Sequence, residues 1–380
     1  MPDLGLRLTT MNPEERAALV ERAARAITDH QCIVLPTDTL YGLVTKADQQ
    51  GADLLDTITG HPEVASGPRM TLHLADLDQI IEHLVLEAAT VRRLVSRLLP
   101  GPVRLVLEQP EPTINALCAA LGIPRGVIDD GSHIAIRVPD HPLFRQVLRQ
   151  AGVACVARRL GSAIWAHDDN PGTDLSPISN NPPTDLDTYP AIIIDDGPTL
   201  NQSHSTTVRL SIEGKIEVSP GGAITEKQVL SHLERTILFV CTGNTCRSPM
   251  AQAIAKQLLS EQEPKGITTH AASAGVAAGD GMPATPEAID ALESIGIKAS
   301  PHQSQQLTLP MIDQAEIIYT MTPSHAQAIM TMAPNSVHKV FVLDEQESVP
   351  DPIGQSAEVY KHTAQRLVEL ITKRLSEIHI

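Results

Sequence analysis

The 380-residue sequence predicts two α/β domains in series, a twisted mixed-sheet domain over residues 1–232 and a doubly wound parallel sheet over residues 235–380. Three observations predict this. The length exceeds what one hydrophobic core usually serves. Strands and helices are mixed over the first 230 residues, and in the last 145 short apolar runs alternate with segments of helical spacing, the pattern of strand and crossover helix.

In the first domain, Asn12-Pro13-Glu14-Glu15 reads as an N-cap, a first-turn proline and a capping-box glutamate, ahead of apolar positions at helical spacing through Ile27. A short buried strand at 32–35 runs into Pro36-Thr37-Asp38-Thr39-Leu40-Tyr41-Gly42-Leu43. Further strands are predicted at 70–74, 103–107, 134–138, 153–157, 191–194 and 207–210, and helices over 88–98, 141–151 and 224–234. Residues 158–189, rich in Asp, Asn and Pro and containing the single Trp165, predict a long surface loop. His167-Asp168-Asp169 in that loop has no second ligand group at matching spacing, so no metal site is expected. Arg235-Thr236 is read as a very short junction.

The second domain is organised around 237–250. Four apolar residues, 237–240, form a buried strand, the next eight turn sharply, and Ser248-Pro249 opens a helix through 249–260. Between them lies Cys241-Thr242-Gly243-Asn244-Thr245-Cys246-Arg247-Ser248, a Cys-x5-Arg spacing. A loop closing on a helix N-terminus points several backbone N–H groups at one spot, where the helix dipole adds positive charge. Such a nest fits a tetrahedral oxyanion, and the same field favours a thiolate at Cys241 that can attack phosphorus. Arg247 can return its guanidinium as a bidentate clamp, and Ser248 can donate to the sulfur. Asn244 is expected to hold the loop, because Asn tolerates the left-handed conformation and bonds neighbouring backbone. Further strands are predicted at 267–272, 317–321 and 340–343, with Thr285 capping a helix to 295. Val349-Pro350-Asp351-Pro352-Ile353-Gly354 places Asp351 in a rigid extended loop before the last helix, a candidate general acid.

Composition excludes some functions. Residues 1–234 carry 19 Lys+Arg against 30 Asp+Glu, a charge of −11, and residues 235–380 carry 10 against 15, a charge of −5. Neither half has the basic footprint of a nucleic-acid binder, and 2% aromatics leave few stacking platforms. Without an 18-residue apolar run or a basic-then-apolar leader, the expectation is a soluble cytoplasmic protein with no membrane partner. Five cysteines without framework spacing fit a reducing compartment.

Residues 236–380 resemble low-molecular-weight protein-tyrosine phosphatases, and the Cys241–Ser248 octapeptide resembles the protein-arginine phosphatase branch of that family. The resemblance implies Cys241 as nucleophile, Arg247 as phosphoryl clamp and Asp351 as general acid and then base. It places Thr242, Gly243, Asn244, Thr245, Cys246 and Ser248 around the substrate, with no cofactor. Thr245 matches the small polar residue of the arginine branch. Ile353, however, stands where either branch has an aromatic, and 276–285 contains none. For Cys246 the resemblance implies a reversible disulfide with Cys241, and simple packing of the loop remains the alternative.

The first domain resembles YrdC-like threonylcarbamoyl-adenylate synthases through Pro36–Leu43, Pro100-Gly101-Pro102, Ile136-Arg137-Val138-Pro139, Ser205-Thr206-Thr207-Val208 and Gly221-Gly222-Ala223-Ile224. These imply a concave site for threonine, bicarbonate and ATP with magnesium, lined here by Thr37, Thr39, Arg137, Ser205 and Thr206. Key charges depart from the family. Thr59-Gly60-His61-Pro62 stands for its Lys-x-Arg-Pro, with Arg69, after the run 63–68, as a possible substitute. Ala157-Arg158-Arg159 stands for its Ser-x-Asn, and Ser219-Pro220-Gly221 lacks its terminal arginine. The reading is therefore a cysteine phosphatase acting on a phosphorylated protein or peptide, carrying phosphoarginine or phosphotyrosine, fused to a degenerate synthase domain. The rivals are a bifunctional enzyme that also makes threonylcarbamoyl-AMP, and a nucleotide- or client-binding adaptor.

Overall fold

The computed structural model describes residues 3–7, 11–59, 67–159, 191–261, 266–299 and 301–378. Gly60 to Ser66, and the stretch from 160 to 189 with Trp165 and His167-Asp168-Asp169, lie outside them. The chain divides into two compact units, Met1–His232 and Leu233–Ile380.

Unit one is built on a mixed sheet. Its strands run in the order Asp3–Arg7, Ile192–Asp195, Ile33–Leu35, Gly42–Lys46, Cys155–Arg159, Thr71–His73, His133–Arg137, Val103–Glu108, Thr206–Leu210 and Ile216–Val218. The Pro13–Thr28 helix starts as its capping signal predicts. Asn12 Oδ1 accepts from the Glu15 N–H at 3.0 Å while the Glu15 carboxylate accepts from the Asn12 N–H at 2.9 Å. Its Leu19, Ala23 and Ile27 pack with Phe144 and Val147 of the Pro142–Ala151 helix over Ile33, Leu35 and Val44.

The helices Gln49–Thr59 and Glu111–Leu121 and the strands Asp3–Arg7, Gly42–Lys46 and Ile216–Val218 are additions to the sequence expectation. The first helix hides behind Gly51, a residue that argues against helix on propensity. A Cβ there would lie 2.1 Å from the Lys46 carbonyl oxygen, so glycine is what lets helix and strand approach.

The expected junction is corrected. The last helix of unit one is only Glu226–Ser231, and Arg235 and Thr236 belong to the strand Glu234–Cys241, where they pair with Thr269 and His270. Two alternating apolar faces in that strand extend it back through residues that look like a polar linker.

Unit two has four parallel strands in the order Thr268–Gly275, Glu234–Cys241, Ile317–Thr320 and Val340–Val342. Ile237, Phe239 and Cys241 face a core shared with the helices Arg247–Ser260, Pro286–Ser294 and Ala357–Glu377. Leu238 and Val240 face a second core with Leu309–Gln314 and Pro323–Met332. Helices therefore cover both faces, the doubly wound arrangement, which puts the carboxyl end of the Cys241 strand at a ligand position. Among the described residues no helix is long and apolar enough to cross a membrane.

Candidate active site

Cys241 ends its strand and the Arg247–Ser260 helix begins six residues later, so the intervening backbone must reverse within one tight loop. Asn244 makes the reversal, with φ +55°, the left-handed conformation that its side chain can stabilise. Asn244 is fully buried; its Nδ2 donates to Ser248 Oγ and Ser273 Oγ, both at 2.9 Å, and its Oδ1 accepts from the Gln305 N–H. Its carbonyl oxygen lies 2.7 Å from His302 Nε2. Gly275 lets the next strand touch the loop, since a Cβ there would sit 2.4 Å from the Thr242 carbonyl oxygen.

This framework surrounds the Cys241 sulfur with donors. The Asn244 N–H donates to Sγ at 3.3 Å, and Ser248 Oγ lies 2.9 Å from it. The N–H groups of Gly243, Thr245, Cys246 and Arg247 donate to no acceptor among the described residues. Four unused donors at a helix N-terminus can hold the oxygens of a phosphoryl group. Arg247 is buried, donates to the Val349 carbonyl at 3.2 Å and pairs with Asp351, while its Nε has no partner. Asp351 is part-exposed and accepts the Ile353 N–H at 3.3 Å. The predicted nucleophile, clamp and acid are thus brought to one loop.

Other predicted residues take definite places. Thr242 is exposed, its Oγ1 lying 2.9 Å from His325 Nε2. Thr245 is half-buried beside Cys246. Cys246 is a buried free thiol, 3.5 Å from both Thr285 Oγ1 and Tyr360 OH. Ile353, on the Asp351 loop, is 60% exposed, and Met282, on the segment after Gly275, is 56% exposed. His325 was missed by sequence reasoning. Its Nδ1 lies 2.9 Å from Thr322 Oγ1, so both ring nitrogens are engaged. Burial, and then the charge of Arg247, pull it down to about 4 against the opposing pull of Asp351, which keeps the ring neutral. A histidine in the first turn of a helix after a parallel strand was the available signal.

Unit one holds a cavity of about 420 Å³ lined by Thr37, Thr39, Arg137 and Ser205 of the expected set. Arg137 is buried, pairs with Asp38 at 2.7 Å and donates to Thr39 Oγ1 at 2.7 Å. Thr206 is not among the lining residues. It is fully buried, and its hydroxyl donates to the Ile224 carbonyl and accepts the Ile224 N–H, clamping the Gly222 turn. Arg69 reaches the cavity wall, but Asp53 and Asp56 hold its guanidinium, so it does not stand free as a substitute cation. Positive charge remains at the cavity from Arg104, outside the quoted motifs, and from Arg158 and Arg159, which stand where the family has its Ser-x-Asn. An arginine inside the apolar strand Val103–Glu108 was the signal for the first.

Among the described residues no cluster of His, Cys, Asp or Glu could hold a metal ion.

Comparison with known proteins agrees with these two units. Residues 236–379 match the family described as low molecular weight phosphotyrosine protein phosphatase, and residues 25–219 match the Sua5/YciO/YrdC family, described as telomere recombination. A protein-arginine-phosphatase of Bacillus subtilis (strain 168) is 39% identical over 37% of this chain and 95% of its own length. The protein-arginine-phosphatase of Geobacillus stearothermophilus is 40% identical over 37% of this chain and 93% of its own. A crystal structure of a YwlE mutant from Bacillus subtilis is 36% identical, covering 38% of this chain and 99% of that one, with a TM-score of 0.36. The chain therefore belongs to the low molecular weight phosphotyrosine protein phosphatase family, hydrolases, through residues 236–379, and to the Sua5/YciO/YrdC family through residues 25–219.

Proposed function

We propose that the chain is a metal-independent cysteine phosphatase of phosphorylated proteins, with phosphoarginine preferred over phosphotyrosine. The observation that carries this reading is the Cys241 sulfur held among N–H and hydroxyl donors beside a buried Arg247 whose Nε is unpartnered. The phosphoryl group enters over the loop, its oxygens taken by the unused N–H groups and by Arg247. Cys241 attacks phosphorus in line and forms a cysteinyl-phosphate, while Asp351, released from Arg247 by the incoming dianion and protonated from solvent, gives that proton to the leaving atom as the bond to phosphorus breaks. Asp351 then removes a proton from the water that hydrolyses the intermediate. Ser248 donates to the sulfur as it leaves, and Asn244 keeps the loop in shape.

The leaving-group preference rests on the walls. A phenyl ring is best held between aromatic faces, and Ile353, whose N–H Asp351 accepts, offers exposed aliphatic surface instead. The flexible, cationic arginine side chain needs no ring sandwich, and Thr245 leaves polar room where a bulkier aliphatic residue would not. The two similar protein-arginine-phosphatases support the same reading. We further infer that unit one does not make threonylcarbamoyl-AMP, that the protein works in the cytoplasm, and that nucleic acid is not a partner.

The test is turnover of matched phosphoarginine and phosphotyrosine peptides with EDTA present, with Cys241→Ser as blank. Preference for phosphoarginine, reduced about tenfold or more in Thr245→Ile, together with inhibition by vanadate, is the expected result. Preference for phosphotyrosine that Thr245→Ile leaves unchanged removes the arginine reading, and strict metal dependence removes the mechanism.

A further inference from the structure

A second cavity of unit one, of about 240 Å³, shares only Thr37 with the arginine-lined one and is lined by carboxylates instead. Asp38, Asp140, His141 and Asp196 stand in its wall. Asp38 follows the strand Ile33–Leu35, and Asp196 follows Ile192–Asp195. Asp140 and His141 lie between His133–Arg137 and the helix Pro142–Ala151. Hydrogen bonds fix this wall before anything binds. The Asn201 side chain and N–H both donate to the Asp38 carbonyl, at 2.7 and 3.0 Å, and the Thr199 hydroxyl donates to the Thr39 carbonyl.

Two buried atoms of the lining residues have no partner among the described residues. Asp38 is 2% exposed; its Oδ1 meets Arg137 at 2.7 Å, and its Oδ2 is unpartnered. His141 Nδ1 is unpartnered as well. Asp196 Oδ2 lies 3.4 Å from His141 Nε2, which favours the tautomer protonated there and leaves a lone pair on Nδ1. Burial keeps the imidazole neutral against the pull of Asp196, Asp38 and Asp140, so it offsets none of their charges. Arg137 balances Asp38, while Asp140 and Asp196 have no Lys or Arg partner among the described residues. Both orphan atoms are therefore acceptors, in a wall with two uncompensated negative charges. Buried acceptors left without a donor cost free energy. A water molecule supplies donors but no charge, whereas an ammonium group supplies three N–H donors and the charge together.

We infer that this cavity is a binding site for a small primary amine in its ammonium form, its N–H groups taken by Asp38 Oδ2 and His141 Nδ1, with Asp140 and Asp196 supplying counter-charge. The volume admits a short carbon chain behind the nitrogen, and Pro198 and Leu200 give that chain apolar surface. The same residues form no metal-binding cluster. This goes beyond the phosphatase reading and does not depend on it. It also lies outside the concave site that the domain's resemblance implies, with Thr37 alone in common.

The test is calorimetric titration of the full-length chain with butylamine at neutral pH and constant ionic strength. Tetramethylammonium, potassium and butanol are the controls, the first two carrying the charge without an N–H group and the third the carbon chain without the charge. Butylamine is expected to bind at one site, and the controls are expected to give no binding heat. Its affinity falls about tenfold or more in Asp38→Asn and in Asp196→Asn. A thermal melt of each variant separates lost binding from lost folding. Asp38→Asn also disturbs the Arg137 pair, so the more exposed Asp196 keeps the test decisive if that variant does not fold. No butylamine binding leaves the cavity to water and overturns the site. Equal binding of tetramethylammonium, potassium or butanol overturns it too, as does butylamine affinity unchanged in folded Asp196→Asn.

Discussion

The two units each gather cationic and hydrogen-bonding groups at one place in a folded core, and use different materials. Unit two uses one contiguous octapeptide, in which backbone N–H groups, a helix N-terminus and a single arginine converge because Asn244 turns the chain left-handed. Unit one uses residues from seven separated stretches, from Thr37 to Ser205, brought together by a mixed sheet. Backbone donors cannot be mutated away and lose little entropy on binding, so the first design suits a transition state. Guanidinium side chains can be exchanged one at a time, so the second can change ligand while the fold stays. The charge set in the cavity of unit one is consistent with such exchange.

The contrast can be broken at its strongest point first. Asp351→Asn removes the proposed proton donor while leaving an Arg247 contact possible, and turnover should fall about 10²- to 10³-fold with little change in KM. Steady-state kinetics checks this, and a fall confined to KM would make Asp351 a binding residue. Gly275→Ala comes next. The added methyl has no room beside Thr242 and Asn244, so the loop must shift, with turnover expected to fall about 10²-fold while the melting temperature drops by a few degrees. Unaltered kinetics would mean that the loop does not depend on that close approach.

The smallest effect concerns the buried histidines, one in each unit. His325 is pulled to about 4 and His73 to about 3, each by burial first and then by neighbouring arginines, Arg247 for His325 and Arg137 for His73. Between these values and the ordinary 6.5 the unfolded chain takes up a proton that the folded one refuses. The contribution is therefore complete above about pH 6.5 and is lost as pH falls through the folded value, on the order of 2 kcal/mol for His325. Thermal melts from pH 7 to 4 should show this loss for the second unit, and His325→Gln should flatten it. An equally steep fall in His325→Gln would assign the acid sensitivity to other groups.

Legibility followed contiguity. The Cys241 loop, the Asn12 cap and the Thr285 cap were readable because each is a local arrangement of a few neighbouring residues, and the structure has them where the spacing puts them. The Gln49–Thr59 helix was not, because Gly51 lowers helix propensity and its reason, contact with Lys46, lies across another element. Arg235 and Thr236 looked like linker because polar residues at a strand's start carry no period until their sheet partners are known. Thr206 looked like a ligand residue because a hydroxyl that ties a turn and one that meets a substrate have the same letter in the sequence.

What the sequence determined by itself was the α/β class of both halves, the tight Cys241–Ser248 loop between a strand and a helix N-terminus, and the order in which the Asp351 loop follows. These depend on φ preferences, capping and periodicity, interactions that act over a few residues. What the tertiary structure alone decided was which charges are neutralised. Arg69, Arg104, Arg137, Arg158 and Arg159 are alike in sequence, and the distances from their guanidinium groups to Asp38, Asp53 and Asp56 separate the three paired cations from the two that remain. Electrostatic pairing depends on separation in space, and strand order in a mixed sheet sets that separation independently of separation along the chain.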